Sequence, residues 1–299
     1  MTDVIEPSSH LSVEAANALN LPTEQRIEYV RSSRWIGYPK AKEVIGKLED
    51  LLVYPKKHRM PNLLIVGDSN SGKTMIADRF TTLNKAYENE DGQSIVIPVL
   101  SIQSPPVPNE SRLYSNILEK LFAPYRTSDP VEKKQYQVIK LMKACNVNML
   151  MIDEIHSMLA GNLEKQRTFL SVLRNLGNEL QIPIVGLGTK DALRAIKTDP
   201  QLDNRFKSIY LPRWEYNTDF RRLLASFEYM MPLSKPSNLK NPDIAKKLMA
   251  MSEGLLGELS EIISEATVLA IQSGREKIDL DILSNIDWRA PSMRRRENG

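Results

Sequence analysis

The sequence predicts a three-layer α/β domain built on a parallel sheet, followed by a small all-α domain. Three observations carry that expectation. Short apolar runs at Leu63–Val66, Ile95–Leu100, Met149–Ile152 and Ile182–Val185 alternate with helix-length segments. Strands buried on both faces and joined by right-handed crossovers read this way. A glycine-rich stretch stands between the first strand and the helix after it, and beyond Pro212 only helical periodicity continues.

In chain order, residues 1–33 read as a polar extension with one short helix around Glu24–Arg31. Residues 34–212 form the α/β domain. Its first helix is marked by Ala41, Val44, Ile45, Leu48, Leu51 and Leu52, spaced three and four apart, with Pro55 beyond its end. Further helices are expected at Lys73–Leu83, Ser111–Phe122, Val131–Ala144 and Leu163–Leu180, and a late strand at Ser208–Leu211. Residues 213–288 form the helical domain, with helices at Phe220–Met230, Ile244–Met251, Leu255–Ile271 and Leu280–Ile286. Residues 289–299, carrying Arg289, Arg294, Arg295 and Arg296, read as a flexible basic tail.

Composition excludes more than it proposes. With 299 residues, 41% hydrophobic and 26% charged, the chain can bury a core. Forty Lys+Arg against 37 Asp+Glu leave a net charge of +3, which permits a nucleic-acid partner without arguing for one. Cys145 alone makes no disulfide framework, and His10, His58 and His156 are too scattered for a zinc cluster. Neither a signal peptide nor a membrane-length apolar run is visible, so the expected location is the cytosol, with no membrane partner.

The sharpest chemical signal is Gly67-Asp68-Ser69-Asn70-Ser71-Gly72-Lys73-Thr74, a phosphate loop between strand and helix. Backbone N–H groups at such a helix start cradle phosphates. Lys73 reaches the β- and γ-phosphates and the Thr74 hydroxyl ligates Mg2+. The second signal is the apolar strand Met149–Ile152 ending in Asp153 and Glu154. A parallel strand delivers these carboxylates to the same sheet edge, where Asp153 supports the Mg2+ shell and Glu154 polarises the attacking water.

Thr189, at the end of Ile184–Gly188, reads as a residue touching the γ-phosphate or the water, or as a plain strand end. Arg205, before Phe206, reads either as an arginine supplied to a neighbour's nucleotide or as a surface ion-pair residue. Asp153-Glu154-Ile155-His156 also spells a helicase box, but a helicase motor needs a second α/β domain, so His156 is taken as a polar residue near the site.

Together these residues resemble the AAA+ ATPases, a P-loop NTPase core with a C-terminal helical lid. Within them the chain is similar to the TniB/TnsC family, ATP-dependent regulators of Tn7-like and Tn5053-like transposition. The family-specific pieces are Arg34-Trp35-Ile36-Gly37-Tyr38-Pro39, Arg59-Met60-Pro61-Asn62, Gly254-Leu255-Leu256-Gly257-Glu258 and Asp287-Trp288-Arg289.

The resemblance implies that Asp153 and Glu154 are the Walker B pair, Thr189 the sensor and Arg205 the arginine finger, with Ile36 and Tyr38 flanking adenine. A lid arginine common in AAA+ proteins is replaced by Gly257. It further implies ATP-bound rings or filaments of this chain on duplex DNA, linking a TniQ-like target selector to the transposase, with hydrolysis driving disassembly. Channel-lining segments of relatives correspond to Ser101–Val107 and Leu121–Thr127, which nominates Arg112, Arg126 and Thr127, with Lys133 and Lys134 nearby, as backbone-phosphate contacts. Two alternatives are an initiator or helicase-loader ATPase and, further off, a P-loop phosphotransferase.

Overall fold

The computed structural model describes residues 10–90, 92, 95–159 and 163–297. The chain divides into two compact units, Pro39–Pro212 and a second built from Met1–Tyr38 with Arg213–Gly299. The N-terminal extension therefore groups with the C-terminal helices. It holds two helices rather than one, α1 (Val13–Leu19) and α2 (Thr23–Arg31). The alanines of α1 favour helix, Ala15 and Ala18 are buried, and the Ser12 hydroxyl caps its start by accepting from the Ala15 N–H.

The α/β unit begins with α3 (Pro39–Leu52), β1 (Asn62–Gly67) and α4 (Lys73–Leu83). A small hairpin follows, β2 (Tyr87–Glu88) with β3 (Ile95–Val96), and then β4 (Val99–Gln103). Ile95–Leu100 is thus not one strand. Pro98 offers no N–H to a ladder, and the chain changes sheet around it. Next come α5 (Glu110–Lys120), α6 (Val131–Ala144), β5 (Met149–Asp153), the single turn α7 (His156–Leu159) and α8 (Leu163–Leu180). The unit closes with β6 (Ile184–Gly188), α9 (Lys190–Ile196), α10 (Pro200–Asp203) and β7 (Phe206–Leu211).

The main sheet is parallel in the order β4-β5-β6-β1-β7. Its three central strands are buried at nearly every position, which is why they read as unbroken apolar runs. At the edge, β7 leaves Lys207, Ser208 and Tyr210 exposed. The topology matters for function in one respect: β5, β6 and β1 are neighbours, so the loops after them share one edge.

The helical unit continues with α11 (Thr218–Met230), α12 (Pro242–Ser252), α13 (Leu256–Gln272), α14 (Leu280–Asn285) and α15 (Pro291–Glu297). Phe220, Leu224, Phe227, Ile262, Ile263 and Val30 of α2 share its core. The family-specific pieces of this unit explain themselves structurally. Gly254 holds φ +72°, and a Cβ there would meet the Trp214 carbonyl oxygen at 2.3 Å, so only glycine fits. Trp288 donates its indole N–H to the Met251 carbonyl at 3.1 Å. Buried Glu258 pairs with Arg294, whose guanidinium also lies over the Trp288 ring. The expected flexible tail is therefore corrected: residues 291–297 are helical and Arg294 is anchored. The N-terminal stretch before residue 10 and the side chains of Arg295 and Arg296 lie outside the described residues.

Candidate nucleotide site

The loop after β1 is shaped by two glycines. A Cβ on Gly67 would meet the Ser71 Oγ at 2.4 Å, so the loop closes tightly on the strand end. Gly72 starts α4 at φ +90°, a conformation that side chains resist, and Asn70 shares the left-handed region at φ 61°. This leaves the first N–H groups of α4 aimed off the helix end, where an anion is favoured.

Lys73 is buried and its Nζ donates to the carbonyls of Gly67 at 3.0 Å and Asp68 at 2.8 Å. Burial lowers its pKa, opposed by the negative charges of Glu154, Asp153 and Asp68. These three carboxylates mark how closely the loop and the end of β5 approach. The Thr74 hydroxyl donates to Asp153 Oδ2 at 2.6 Å, while Asp153 Oδ1 accepts the Glu154 N–H at 2.7 Å. Glu154 itself stands at φ 53°, an unfavourable conformation for a non-glycine residue and a common mark of functional sites. Its Oε2 lies 3.2 Å from His156 Nε2. The sequence places His156 only near the site, because the one-turn helix that brings it to Glu154 has no local signature.

Three buried polar atoms lack partners among the described residues: Ser71 Oγ, His156 Nδ1 and Thr189 Oγ1. They follow β1, β5 and β6, three adjacent strands, and all sit at the same edge as Lys73 and Asp153. Leaving such an atom unpaired costs about 1–3 kcal/mol. Concentrated at one edge, beside a helix start and an oxygen pair at Thr74 and Asp153, they fit a phosphate-bearing ligand and a hard, oxygen-seeking cation such as Mg2+. Thr189 caps α9 by position, yet its hydroxyl makes no capping bond, which leaves it available.

Arg205 lies at the opposite edge. It precedes β7, and its carbonyl accepts the Asn62 N–H at 2.8 Å. The register runs from Asn62 beside Phe206 to Gly67 beside Leu211, so a six-residue strand of about 17 Å separates Arg205 from the phosphate loop. The guanidinium donates to Asn178 Oδ1 at 2.9 Å. Burial lowers its pKa, and the nearby positive charges of Arg59 and Arg174 lower it further against the pull of Asp199. Asn178 was not singled out from the sequence, where it is an ordinary polar position on an amphipathic helix.

The remaining nominated residues separate. Ile36 and Tyr38 belong to the helical unit, where Ile36 packs on its core and Tyr38 meets Trp214 edge-on at 5.2 Å. Burial raises the Tyr38 pKa to about 12. Arg112, Arg126 and Thr127 are exposed, and Lys133 pairs with Asp129 at 2.7 Å. Lys134 is a correction. It is only 2% exposed, and its Nζ donates to Ser111 Oγ at 2.9 Å, Ser115 Oγ at 3.2 Å and the Thr127 carbonyl at 3.1 Å. All three ammonium protons are engaged inside the fold, which removes it from the surface cations.

Strand order, phosphate loop and paired carboxylates define the AAA+ class of P-loop NTPase fold. Within that class the chain belongs to the TniB family: the family described as "Bacterial TniB protein" matches residues 26–216. No curated protein sequence matches. Among solved structures it is similar to the ORC2 protein of Aeropyrum pernix in its ADPNP–ADP complexes, with 17% identity and a TM-score of 0.59 over 85% of this chain and 69% of that one. Cdc6p from Pyrobaculum aerophilum is similar at 16% identity and a TM-score of 0.59, over 84% and 67%. The Aeropyrum pernix ORC1 protein in complex with DNA gives 14% and 0.58, over 86% and 67%. At such identities the likeness is one of fold. No described helix is long and apolar enough to cross a membrane.

Proposed function

We propose that this chain is an ATPase that assembles on duplex DNA and regulates transposition, linking a TniQ-like target selector to the transposase. The observation that supports the reading is the separation of the residues nominated for catalysis between two edges of a sheet. Lys73, Thr74, Asp153, Glu154 and Thr189 gather at one edge and Arg205 stands at the other. A single chain cannot bring Arg205 to its own phosphate loop across a strand length, so a complete site needs a second copy.

In that site Lys73 holds the β- and γ-phosphates, and Thr74 with Asp153 hold Mg2+. Held by Thr74 and Asp153, Mg2+ would supply positive charge against the phosphate oxygens. Glu154 takes the proton of the attacking water while the oxygen bonds to the γ-phosphorus. The bond to the β-phosphate oxygen breaks, ADP departs, and Thr189 orients the water or the γ-phosphate. Arg205 of the neighbour stabilises the charge and, by touching the nucleotide, makes ATP part of the subunit contact. Hydrolysis then loosens that contact, so the output is an assembly state.

Exposed Arg112 and Arg126, with Thr127 and Lys133, supply backbone-phosphate contacts to DNA. A few contacts per subunit, repeated along an assembly, hold DNA despite a net charge of +3. The fold likeness to ORC and Cdc6 proteins supports a second reading, an initiator-type or helicase-loader ATPase. Co-purification of the full chain with a transposase and with a replicative helicase separates the two. Retention of transposase and TniQ-like protein is expected, and retention of helicase alone would favour the second reading.

A further inference from the structure

We propose that Arg59 and Arg205 form a two-arginine clamp for the terminal phosphates of ATP held by the phosphate loop of a second copy of this chain. The inference rests on the shared-site reading above and adds a residue, and a ligand pocket, which that reading does not contain.

The pocket is a cavity of about 420 Å³ at the Arg205 edge, lined by the cations Lys57, Arg59, Arg205 and Lys207 and by Tyr54 and Asn204. No carboxylate lines it. Four positive charges around one cavity, offset at Arg205 only in part by Asp199, favour an occupant that carries several negative charges. The flanking backbone is fixed. Asn62 is buried, donates its N–H to the Arg205 carbonyl, and accepts the Ile184 N–H on Oδ1 at 2.9 Å. The Arg59–Asn62 segment is thereby tied to the residue before β7.

Asn178 holds Arg205 in place, whereas Arg59 is exposed and has no ion pair or side-chain hydrogen bond among the described residues. The depression of the Arg205 pKa by Arg59 fits two guanidiniums facing one space. Neither residue can serve its own chain, because the phosphate loop opens at the far edge of the sheet. A head-to-tail neighbour brings the two edges together. Guanidiniums match phosphate oxygens in a fork, so two of them can grip the γ-phosphate and stabilise its developing charge.

The test uses full-length Arg59→Ala, Arg205→Ala and Lys73→Ala proteins, alone and mixed, with ATP, Mg2+ and duplex DNA. Arg59→Ala is expected to lower ATP turnover by about 10²-fold, with binding of a fluorescent ATP analogue unchanged. Mixing it with Lys73→Ala should restore part of the turnover, because one protein brings the loop and the other the arginines. Turnover of Arg59→Ala within about twofold of the parent, with Arg205→Ala reduced by about 10³-fold or more, would overturn the clamp and leave the Arg205 role standing. A loss of DNA retention without loss of turnover would assign the pocket to nucleic-acid phosphates and also overturn it. Loss of turnover with no recovery on mixing would place Arg59 in its own chain's site and refute action in trans. If neither arginine variant loses turnover, the shared-site reading itself fails.

Discussion

The Thr74 hydroxyl donates to Asp153 Oδ2 across 2.6 Å, joining the start of α4 to the end of β5. Two oxygens brought together in this way from distant parts of the chain could supply two of the six ligands of an octahedral Mg2+ shell.

From that pair follows a metal dependence. Asp153→Asn keeps the shape but removes the charge, so it should abolish the difference between nucleotide binding with Mg2+ and with a chelator. Its turnover should fall by about 10²-fold or more. Titration of a fluorescent ATP analogue with and without EDTA reads the first effect and phosphate release the second. A retained Mg2+ effect would remove Asp153 from the metal site.

On the proposed reading, the Glu154 carboxylate controls how long the assembled state lasts. Glu154→Gln should bind ATP normally, slow hydrolysis by about 10²-fold or more, and prolong ATP-dependent assembly. Light scattering after ATP addition follows the decay. Decay at the parent rate would mean that hydrolysis does not drive disassembly.

A pH dependence follows from the pairing of Arg26 on α2 with Glu276, a bidentate ion pair between segments far apart in sequence. Burial disfavours the Glu276 carboxylate, but the Arg26 hydrogen bonds and the Ser234 N–H outweigh it and lower its pKa below the ordinary 4.5. A depressed carboxylate contributes stability that is present above pH 4.5 and is lost as pH falls through the lower folded value. Urea unfolding below pH 4.5 should therefore weaken more steeply in the parent than in Glu276→Gln. Equal slopes would show that the pair contributes nothing.

Lys134 and Arg126 should behave oppositely. Lys134→Ala strands two serine hydroxyls and a carbonyl, and should destabilise by about 2–4 kcal/mol in urea unfolding. Arg126→Ala should leave stability unchanged and reduce the salt slope of DNA binding by about 1. An unchanged slope would remove Arg126 from the DNA surface.

The parts of the fold that were legible in advance are those encoded locally. Lys73–Leu83, Val131–Ala144 and Leu163–Leu180 begin and end where their periodicity does, and the phosphate loop announces itself by two glycines, a lysine and a threonine. What escaped depends on distant partners. Lys134 looked like a surface cation because periodicity counts any lysine as polar, and only Ser111 and Ser115 on α5 reveal a buried donor. Arg26 meets Glu276 across nearly the whole chain, so the leader's attachment to the helical unit has no local signature. At residues 291–297, charge density suggested a tail, but the partners of Arg294 are Glu258 and Trp288. Within the site, Arg59 stood out only as part of a family pattern. Its relation to Arg205 comes from the cavity that both residues line.

Division of the catalytic set between two sheet edges is tested most directly by electron microscopy of the full chain with duplex DNA and a slowly hydrolysed ATP analogue. Rings or helical filaments threaded by DNA are predicted, with Arg205 of each subunit against the nucleotide of the next. Particles that remain single copies with nucleotide, Mg2+ and DNA all present would contradict it.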